Sequence, residues 1–271
     1  MTDWRPEDEP APVPIGLAGW VRLTVRGLAL ALVTYGCLAL LLLVRLIERP
    51  LFGVRRPITP YITQFVCRSA FVILGMPLRT HGTPMAQKGA VVANHASWLD
   101  IFTLNAPQRI YFVSKSEVAG WPGIGALARA TGTVFIARRG SEAKLQQELF
   151  ESRLHTGHRL LFFPEGTSTD GKRVLPFKST LFAAFFSHDL KEETHIQPVS
   201  VIYHAPKGQD PRFYGWWGDM EFAPHLAKLL AAPRQGSVDV VFHDPVRVDE
   251  FANRKTLAAY CEAKIRSALP D

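Results

Sequence analysis

The chain has 271 residues, of which 47% are apolar, and 31 Lys and Arg residues against 24 Asp and Glu residues give a formal net charge of +7. This composition excludes an intrinsically disordered chain and allows one large core with an attached element. The positive charge suits a surface that faces the phosphates of nucleic acid, anionic lipid or substrate, and its sign does not choose among them. The 3 cysteines form no Cys-x-x-Cys pair, so neither a disulfide framework nor a zinc site is expected, and a reduced, cytosol-facing catalytic part is the simpler inference.

The N-terminal part of the chain divides into a polar, Pro-rich tail at residues 1–20 and a hydrophobic stretch at residues 21–80, which predicts membrane-associated helices. Within that stretch, Gly27–Val44 has 18 residues without a charge and arginines on both sides. This length is at the lower limit for a helix that spans a bilayer. A buried core helix is the alternative, but the leucine cluster with flanking arginines favours a membrane anchor. Arginines on both flanks leave the positive-inside rule undecided.

A second apolar segment, Tyr61–Pro77, carries Gln64 and Arg68 in its middle. This pattern predicts an interfacial or re-entrant partner of the first helix rather than a second independent span. Whether the first helix spans the bilayer or lies in the interface is left open at this point.

From residue 81 to residue 271, short β-rich runs alternate with helical ones. This order predicts an α/β domain with a largely parallel central sheet flanked by helices. The clearest helix is Ser141–Thr156, which opens with an N-cap serine and is closed by Gly157. In such sheets, ligands bind beyond the carboxyl ends of the strands. The predicted strands are Ala90–Ala93, Arg109–Val113, Thr133–Ala137, Arg159–Phe163, Ile196–Tyr203 and Val238–His243.

The stretch NHASWLD, residues 94–100, follows the first of these strands. One interpretation is structural, because Ser97 and Asp100 fit a capping box for a helix that begins at Trp98. The other is chemical, with His95 as a general base whose second ring nitrogen is held by Asp100. Five residues along a helix rotate a side chain by about 140°, so the two groups meet only if His95 lies in the turn before the helix. Taken alone, the stretch favours the cap.

Three polar clusters fall at the ends of predicted strands, and their shared position changes that balance. They are Asn94-His95, Arg138-Arg139-Gly140 and the run PEGTSTDGK at residues 164–172. Each cluster alone is typical of a turn or a solvated charge pair. Their common placement at carboxyl ends of strands favours a single cleft that collects all three.

Two other chemistries are set aside on the residues. Gly166–Lys172 matches the G-x-x-x-x-G-K core of a phosphate-binding loop, but Arg173 replaces the hydroxyl residue that holds magnesium. Pro176 also lies where the helix of that motif should continue. A serine hydrolase of the common type needs a G-x-S-x-G elbow, which the chain lacks.

The segments NHASWLD, GTVFIARRG, FPEGTS and IQPVSV, in this order and spacing, resemble the four motif blocks of the membrane-bound glycerolipid acyltransferase family over residues 90–203. An Asn-His-x4-Asp motif alone is a weak signal, and Phe-Pro-Glu-Gly-Thr at this distance makes it specific. The resemblance implies that the hydrophobic N-terminal helices match a membrane-embedded motif of the family. It also implies that His95 is the general base, oriented by Asp100. The substrate-binding residues implied by the resemblance are Arg138, Glu165, Gly166, Thr167, Lys115 and Lys178.

Two departures from the family pattern bear on the acceptor. Many members have an arginine where this chain has Ser168, and a glycine where it has Thr180. The variant FPEGTSTDG followed by PFKS resembles the branch that acylates lyso-ornithine lipid, as well as some bacterial lysophosphatidate enzymes. One expected phosphate ligand is therefore absent.

The resemblance implies an O-acyltransferase at the cell inner membrane, with its catalytic domain facing the cytoplasm. Its partners would be a lysolipid acceptor (lysophosphatidate, lyso-ornithine lipid or both), a thioester of acyl carrier protein or coenzyme A as donor, and the membrane surface, with no nucleic acid. No metal or other cofactor, nucleotide or covalent acyl-enzyme is needed. The alternatives are a non-catalytic lipid-binding or scaffold protein of the same fold and, third, a lipase-like hydrolase.

Overall fold

The computed structural model describes residues 14–136 and 143–270, with the backbone alone at residues 143–147 and 188–189. Within these ranges the strands are β1 (Leu78–His81), β2 (Gly89–Ala93), β3 (Tyr111–Lys115), β4 (Val134–Ile136), β5 (Leu160–Phe162), β6 (His195–His204), β7 (Ser237–Phe242) and β8 (Val246–Arg247). They form one mixed sheet in the order β1-β7-β6-β2-β5-β3-β4, with β8 paired to β6. The pairs β1·β7, β2·β5, β2·β6, β3·β4 and β3·β5 are parallel, and β6 is antiparallel to β7 and β8.

The α-helices are α1 (Leu17–Phe52), α2 (Thr59–Leu74), α3 (Asp100–Asn105), α4 (Ile124–Thr131), α5 (Ala143–His155), α6 (His188–Lys191), α7 (Phe222–Ala231) and α8 (Arg254–Arg266). Short 3-10 helices lie at residues 116–120, 179–186 and 248–250. Helices cover both faces of the sheet, so the predicted α/β class is confirmed. There is an apolar core on each face, and alternate residues of β2 pack into one or the other: Val91 into the core with α2, α3 and α7, and Val92 into the core with α5 and α8.

Each of the six predicted strands is present, shifted by at most two residues at an end within the described residues. The predicted helix at residues 141–156 corresponds to α5, and Gly157 follows it with φ +86°, a left-handed conformation that suits glycine. The sequence prediction missed β1 and β8, because four and two residues with little apolar character give no strand pattern. The expected domain boundary between residues 80 and 81 falls inside β1, which pairs with β7 of the central sheet.

α1 is a 36-residue helix that exposes an apolar surface. Its most apolar stretch has a mean hydropathy of 2.4 and is only 6% buried, so the alternative of a buried core helix is wrong and membrane association is indicated. The helix extends beyond Gly27–Val44 at both ends and begins inside the expected tail at residues 1–20. Its large exposed apolar side chains are Leu17, Trp20, Val21, Val25, Leu28, Leu32, Tyr35, Leu40, Leu42, Leu43, Leu46, Ile47, Leu51 and Phe52.

The first half of α1 is attached to the α/β domain through the end of α7. Arg22 donates a hydrogen bond from Nε to the carbonyl of Ala231 at 2.8 Å. Arg26 donates from Nη1 to the carbonyls of Leu230 and Ala232 at 3.0 and 2.7 Å. The last carbonyls of a helix have no partner within it, so these arginines satisfy the end of α7 and place positive charge at its negative pole.

The second half of α1 is attached to α2 through Glu48, whose side chain is buried. Its carboxylate accepts hydrogen bonds from the amides of Ile58 and Thr59 at 2.7 and 3.1 Å, and from the Thr59 hydroxyl at 2.7 Å. Arg45 completes the set with a 3.0 Å ion pair. Glu48 thus caps the N-terminus of α2 from a neighbouring helix, which fixes the turn between them.

The polar residues within α2 have a structural role that the sequence interpretation did not foresee. Gln64 and Arg68 both donate hydrogen bonds to the carbonyl of Ala106, just after α3, at 3.1 and 2.8 Å. They therefore join α2 to the α/β domain, while Tyr61 and Phe65 remain exposed. Association of α2 with the membrane interface stays a prediction, but Gln64 and Arg68 face the protein.

Replacing Glu48 by alanine should destabilise the α1–α2 hairpin, because three backbone and hydroxyl donors would lose their buried acceptor. The expected loss is about 1–3 kcal/mol, against less than about 0.5 kcal/mol for Glu193→Ala, whose exposed carboxylate forms only a 3.6 Å pair with Lys88. Thermal unfolding of both variants in the same detergent measures the difference. Equal unfolding temperatures for the two variants would contradict this role of Glu48.

Candidate active site

The carboxyl ends of β2, β5 and β6 lie side by side, and residues just beyond β2 and β5 come together there. Asn94 fixes the exit of β2: its side-chain amide donates to the carbonyl of Val201 at 2.9 Å and accepts from the Val201 amide at 2.8 Å. The buried side chain thus extends the pairing with β6 by one step, after which the chain turns. This arrangement confirms that the clusters at residues 94–95 and 164–172 meet at one edge. The third cluster, Arg138 to Gly140, lies outside the described residues.

The backbone of His95 is held by the loop after β5. Its amide donates to Glu165 Oε1 at 2.7 Å, and its carbonyl accepts from the Thr169 amide at 2.9 Å. The other oxygen of Glu165 accepts from the Leu175 amide at 2.7 Å. Burial raises the pKa of Glu165 to about 8 against the opposing effect of these two hydrogen bonds, so this carboxyl is not fully ionised at neutral pH. Glu165 positions His95, and acceptor binding by it stays a prediction.

Asp100 has both the structural and the chemical contacts that were considered for the NHASWLD stretch. Its Oδ2 lies 2.7 Å from Nδ1 of His95 and also accepts hydrogen bonds from the amides of Ala96 and Ser97 at 2.8 and 3.0 Å. One carboxylate oxygen therefore closes the turn and holds the imidazole. α3 begins at Asp100, two residues later than predicted, because the chain first makes a turn in which the Asp100 amide donates to the Ser97 carbonyl.

The orientation of the His95 ring is set by a hydrogen bond on one edge and by stacking on its face. Asp100 is fully buried and acts as an acceptor, so it holds the proton on Nδ1 and leaves the lone pair on Nε2. Phe163 stacks on the imidazole with ring centroids 4.0 Å apart and an interplanar angle of 11°. The imidazole itself remains partly exposed, at 20% of its side-chain surface. No hydrogen bond reaches Nε2 from the residues that the structure describes. A partly exposed imidazole with its Nε2 lone pair available and a carboxylate behind it is the arrangement of a general base.

Tyr203, near the end of β6, completes the partners of Asp100. Its hydroxyl donates to Asp100 Oδ1 at 2.7 Å and lies 2.9 Å from the Thr103 hydroxyl, which also lies within hydrogen-bond distance of the Leu99 carbonyl, at 3.1 Å. Burial and the neighbouring Asp100 charge hold the pKa of Tyr203 well above its usual range, so it stays a donor. Sequence analysis did not identify Tyr203, since a tyrosine in an apolar strand is ordinarily a packing residue.

Other residues implied by the resemblance lie around this edge. A Cβ at Gly166, where φ is +73°, would lie 2.4 Å from Nζ of Lys178, so the lysine ammonium lies against this turn. Thr167 follows in the same turn and is half-buried. Lys115 ends β3, two strands from β2 at the same edge, which corresponds to about 10 Å. The structure thus brings His95, Asp100, Glu165, Gly166, Thr167 and Lys178 together, with Lys115 at the same edge.

Comparison with known proteins gives consistent results. A family model described as Acyltransferase matches residues 78–202. The chain is 61% identical to a lyso-ornithine lipid O-acyltransferase of Rhodobacter capsulatus, over 98% of this chain and 96% of that protein. It is 40% identical to a 1-acyl-sn-glycerol-3-phosphate acyltransferase of Neisseria gonorrhoeae over 44% of this chain and 46% of the relative. The crystal structure of the acyltransferase PlsC from Thermotoga maritima shares the fold, with a TM-score of 0.59 and 21% identity over 91% of this chain and 96% of that one.

Tyr203→Phe should slow turnover, because Asp100 loses the donor that holds its Oδ1 and then orients the imidazole of His95 less firmly. The measurement is kcat/KM compared with the wild type. The matched control is Tyr214→Phe, which removes a hydroxyl bonded to Gln235 and Gly236 instead and should keep the wild-type value. Equal kcat/KM for Tyr203→Phe and the wild type would contradict this role.

Proposed function

This chain belongs to the acyltransferase family, and we propose that it moves a fatty acyl group from a thioester to the free hydroxyl of a lysolipid, with His95 as general base. The observation that supports this proposal most directly is the hydrogen-bonded series Tyr203–Asp100–His95, which leaves a basic Nε2 at the mouth of the site. A scaffold without turnover would not need a buried carboxylate aimed at a partly exposed imidazole. The alternative of a non-catalytic lipid-binding protein is therefore disfavoured.

In the proposed reaction, Nε2 of His95 accepts the hydroxyl proton of the lysolipid as its oxygen attacks the thioester carbonyl carbon. The carbonyl oxygen takes the negative charge in the tetrahedral intermediate, and Asp100 stabilises the imidazolium. The amides of Thr167 and Ser168 donate to no acceptor in the described part of the chain and are our candidates for the oxyanion donors. Collapse breaks the carbon–sulfur bond, and the leaving thiolate takes the proton from the imidazolium. The products are the ester and the free thiol.

For the acceptor, we propose lyso-ornithine lipid, with lysophosphatidate as a second substrate. The two relatives described above are named for these two reactions. Ser168 stands where many members of the family have arginine. The neighbouring Arg173 pairs through two nitrogens with Asp170, at 3.0 and 3.3 Å, so part of its charge is neutralised within the protein. The site therefore offers less positive charge to a phosphate dianion, and this suits an acceptor with a zwitterionic head group. Arg138 and Lys115 as ligands of the head group stay predictions.

For the location, we propose the cytoplasmic face of the inner membrane, with α1 lying in the interface rather than crossing the bilayer. The supporting observation is that α1 is held at two places, at Arg26 by the end of α7 and at Glu48 by α2. α2 is in turn joined to the domain by Gln64 and Arg68. Arg26 and Glu48 are about 33 Å apart along α1, more than the thickness of a hydrocarbon core. A helix that crossed the bilayer would carry the polar catalytic domain into it. The donor, which we propose to be acyl carrier protein or coenzyme A thioester, would then reach the site from the cytoplasm.

The acceptor panel tests the proposal. Purified protein with a labelled acyl thioester should acylate lyso-ornithine lipid and, measurably, lysophosphatidate, while lysophosphatidylcholine serves as an unrelated acceptor. His95→Ala is the control and should be slower by on the order of a hundredfold to ten-thousandfold. Transfer to lysophosphatidate alone would refute the acceptor, and equal rates for His95→Ala would refute the mechanism. Running the assay with each thioester identifies the donor.

Ser168→Arg should shift the ratio of the two acceptor rates towards lysophosphatidate, because it adds a cation beside the proposed head-group site. Ser168 is largely buried, at 8% exposure, so the unfolding temperature of the variant is measured first. A folded variant with an unchanged ratio would contradict the link between residue 168 and acceptor choice.

A further inference from the structure

A cationic groove lies between the first turns of α1, the loop after β6 and the end of α7. It has a volume of about 350 Å³, and four of its lining residues are basic: Arg22, Lys207, Lys228 and Arg234. No Asp or Glu is among the described residues that line it. β6 pairs with β2 up to Val199 and continues to His204 before this loop, so the groove lies about 16 Å beyond the end of β2. It is separate from the residues around His95.

Among the residues that the structure describes, only part of the positive charge of this groove, here called the basic groove, is neutralised. Lys207 and Arg234 are exposed and form no ion pair within the described residues. Lys228 is half-buried, with its ammonium 4.8 Å from the centre of the Phe213 ring. Burial lowers the pKa of Lys228 to about 8, and Asp210, the nearby acid that opposes this shift, is itself paired with Arg212 at 2.8 Å. A negatively charged ligand could pair with these basic side chains.

The position of the basic groove indicates which anion it meets. Leu17, Trp20 and Val21, on the turns of α1 that border it, expose 84%, 54% and 58% of their surfaces. Apolar side chains with a tryptophan beside basic residues are typical of a surface placed at the level of lipid head groups. The phosphates at that depth belong to the membrane itself. The positive charge of the basic groove and its position at the level of the head groups therefore both fit an anionic membrane lipid.

We propose that the basic groove binds the phosphate of an anionic glycerophospholipid of the membrane, a molecule that is neither acyl donor nor acceptor. Lys207, Lys228 and Arg234 supply the charge, and α1 supplies the apolar contact beside the acyl chains. Such a lipid fixes the end of α7 against the bilayer. It thereby orients the catalytic edge of the sheet towards the membrane from a site outside the cleft.

The test compares two short-chain lipids on the full-length protein in neutral detergent. Dioctanoyl phosphatidylglycerol and dioctanoyl phosphatidylcholine are titrated, and bound lipid is counted by native mass spectrometry. The wild type should bind the anionic lipid about tenfold more tightly, and the double variant Lys207→Ala, Arg234→Ala should lose this preference. The matched control removes two exposed charges at the start of α8, Arg254→Ala and Lys255→Ala, and should keep it.

Two results would overturn the proposal: equal affinity of the wild type for the two lipids, and an unchanged preference in the double variant. If a double variant with unchanged preference has lost binding of an acidic acyl carrier protein, the groove is assigned to a protein partner instead. Acyl transfer to detergent-dispersed lysolipid should stay within about twofold of the wild-type rate in the double variant. This readout separates failure of the lipid site from failure of the proposed reaction.

Discussion

The buried carboxylate of Asp100 is the interaction on which the site depends. Removing a carboxylate from water is costly unless it is paired and hydrogen-bonded, and here each of its oxygens has partners. Oδ2 is held by the amides of Ala96 and Ser97 and by His95, and Oδ1 is held by Tyr203. The same bonds that make the charge tolerable define the turn after β2, the start of α3 and the orientation of the imidazole. Local folding and catalytic geometry are therefore one structural feature.

A similar principle attaches the membrane-facing helices to the catalytic domain. The unsatisfied ends of several helices receive their partners from side chains elsewhere in the N-terminal part of the chain. Arg26 serves α7, Glu48 serves α2, and Arg68 serves the residue just beyond α3. Arg56, between α1 and α2, donates to the Ala130 carbonyl near the end of α4 at 2.6 Å. Charged residues that a sequence scan assigns to the membrane interface thus face the protein. The apolar side chains of the same helices are left for the lipid.

Much of this organisation could be predicted from the sequence, for identifiable reasons. Buried strands such as β2 and β6 have apolar runs of the right length, and the Asn-His-x4-Asp motif is local, so its position after a strand could be read directly. The partners that come from distant parts of the chain could not be predicted. Tyr203 lies 103 residues from Asp100, and its role depends on the register of β6 against β2. Glu165 was identified by resemblance, but its two amide bonds follow from the loop path and from no residue pattern.

A single carboxylate, that of Asp100, both closes the turn after β2 and orients the imidazole of His95. Turnover and unfolding temperature of Asp100→Ala, measured beside those of His95→Ala, test this double role. We expect both variants to lose transfer and His95→Ala to unfold within about 2 °C of the wild type. Asp100→Ala should unfold several degrees lower, because two amides and a tyrosine hydroxyl lose their acceptor. An Asp100→Ala protein as stable as the wild type, or one that retains wild-type turnover, would contradict it.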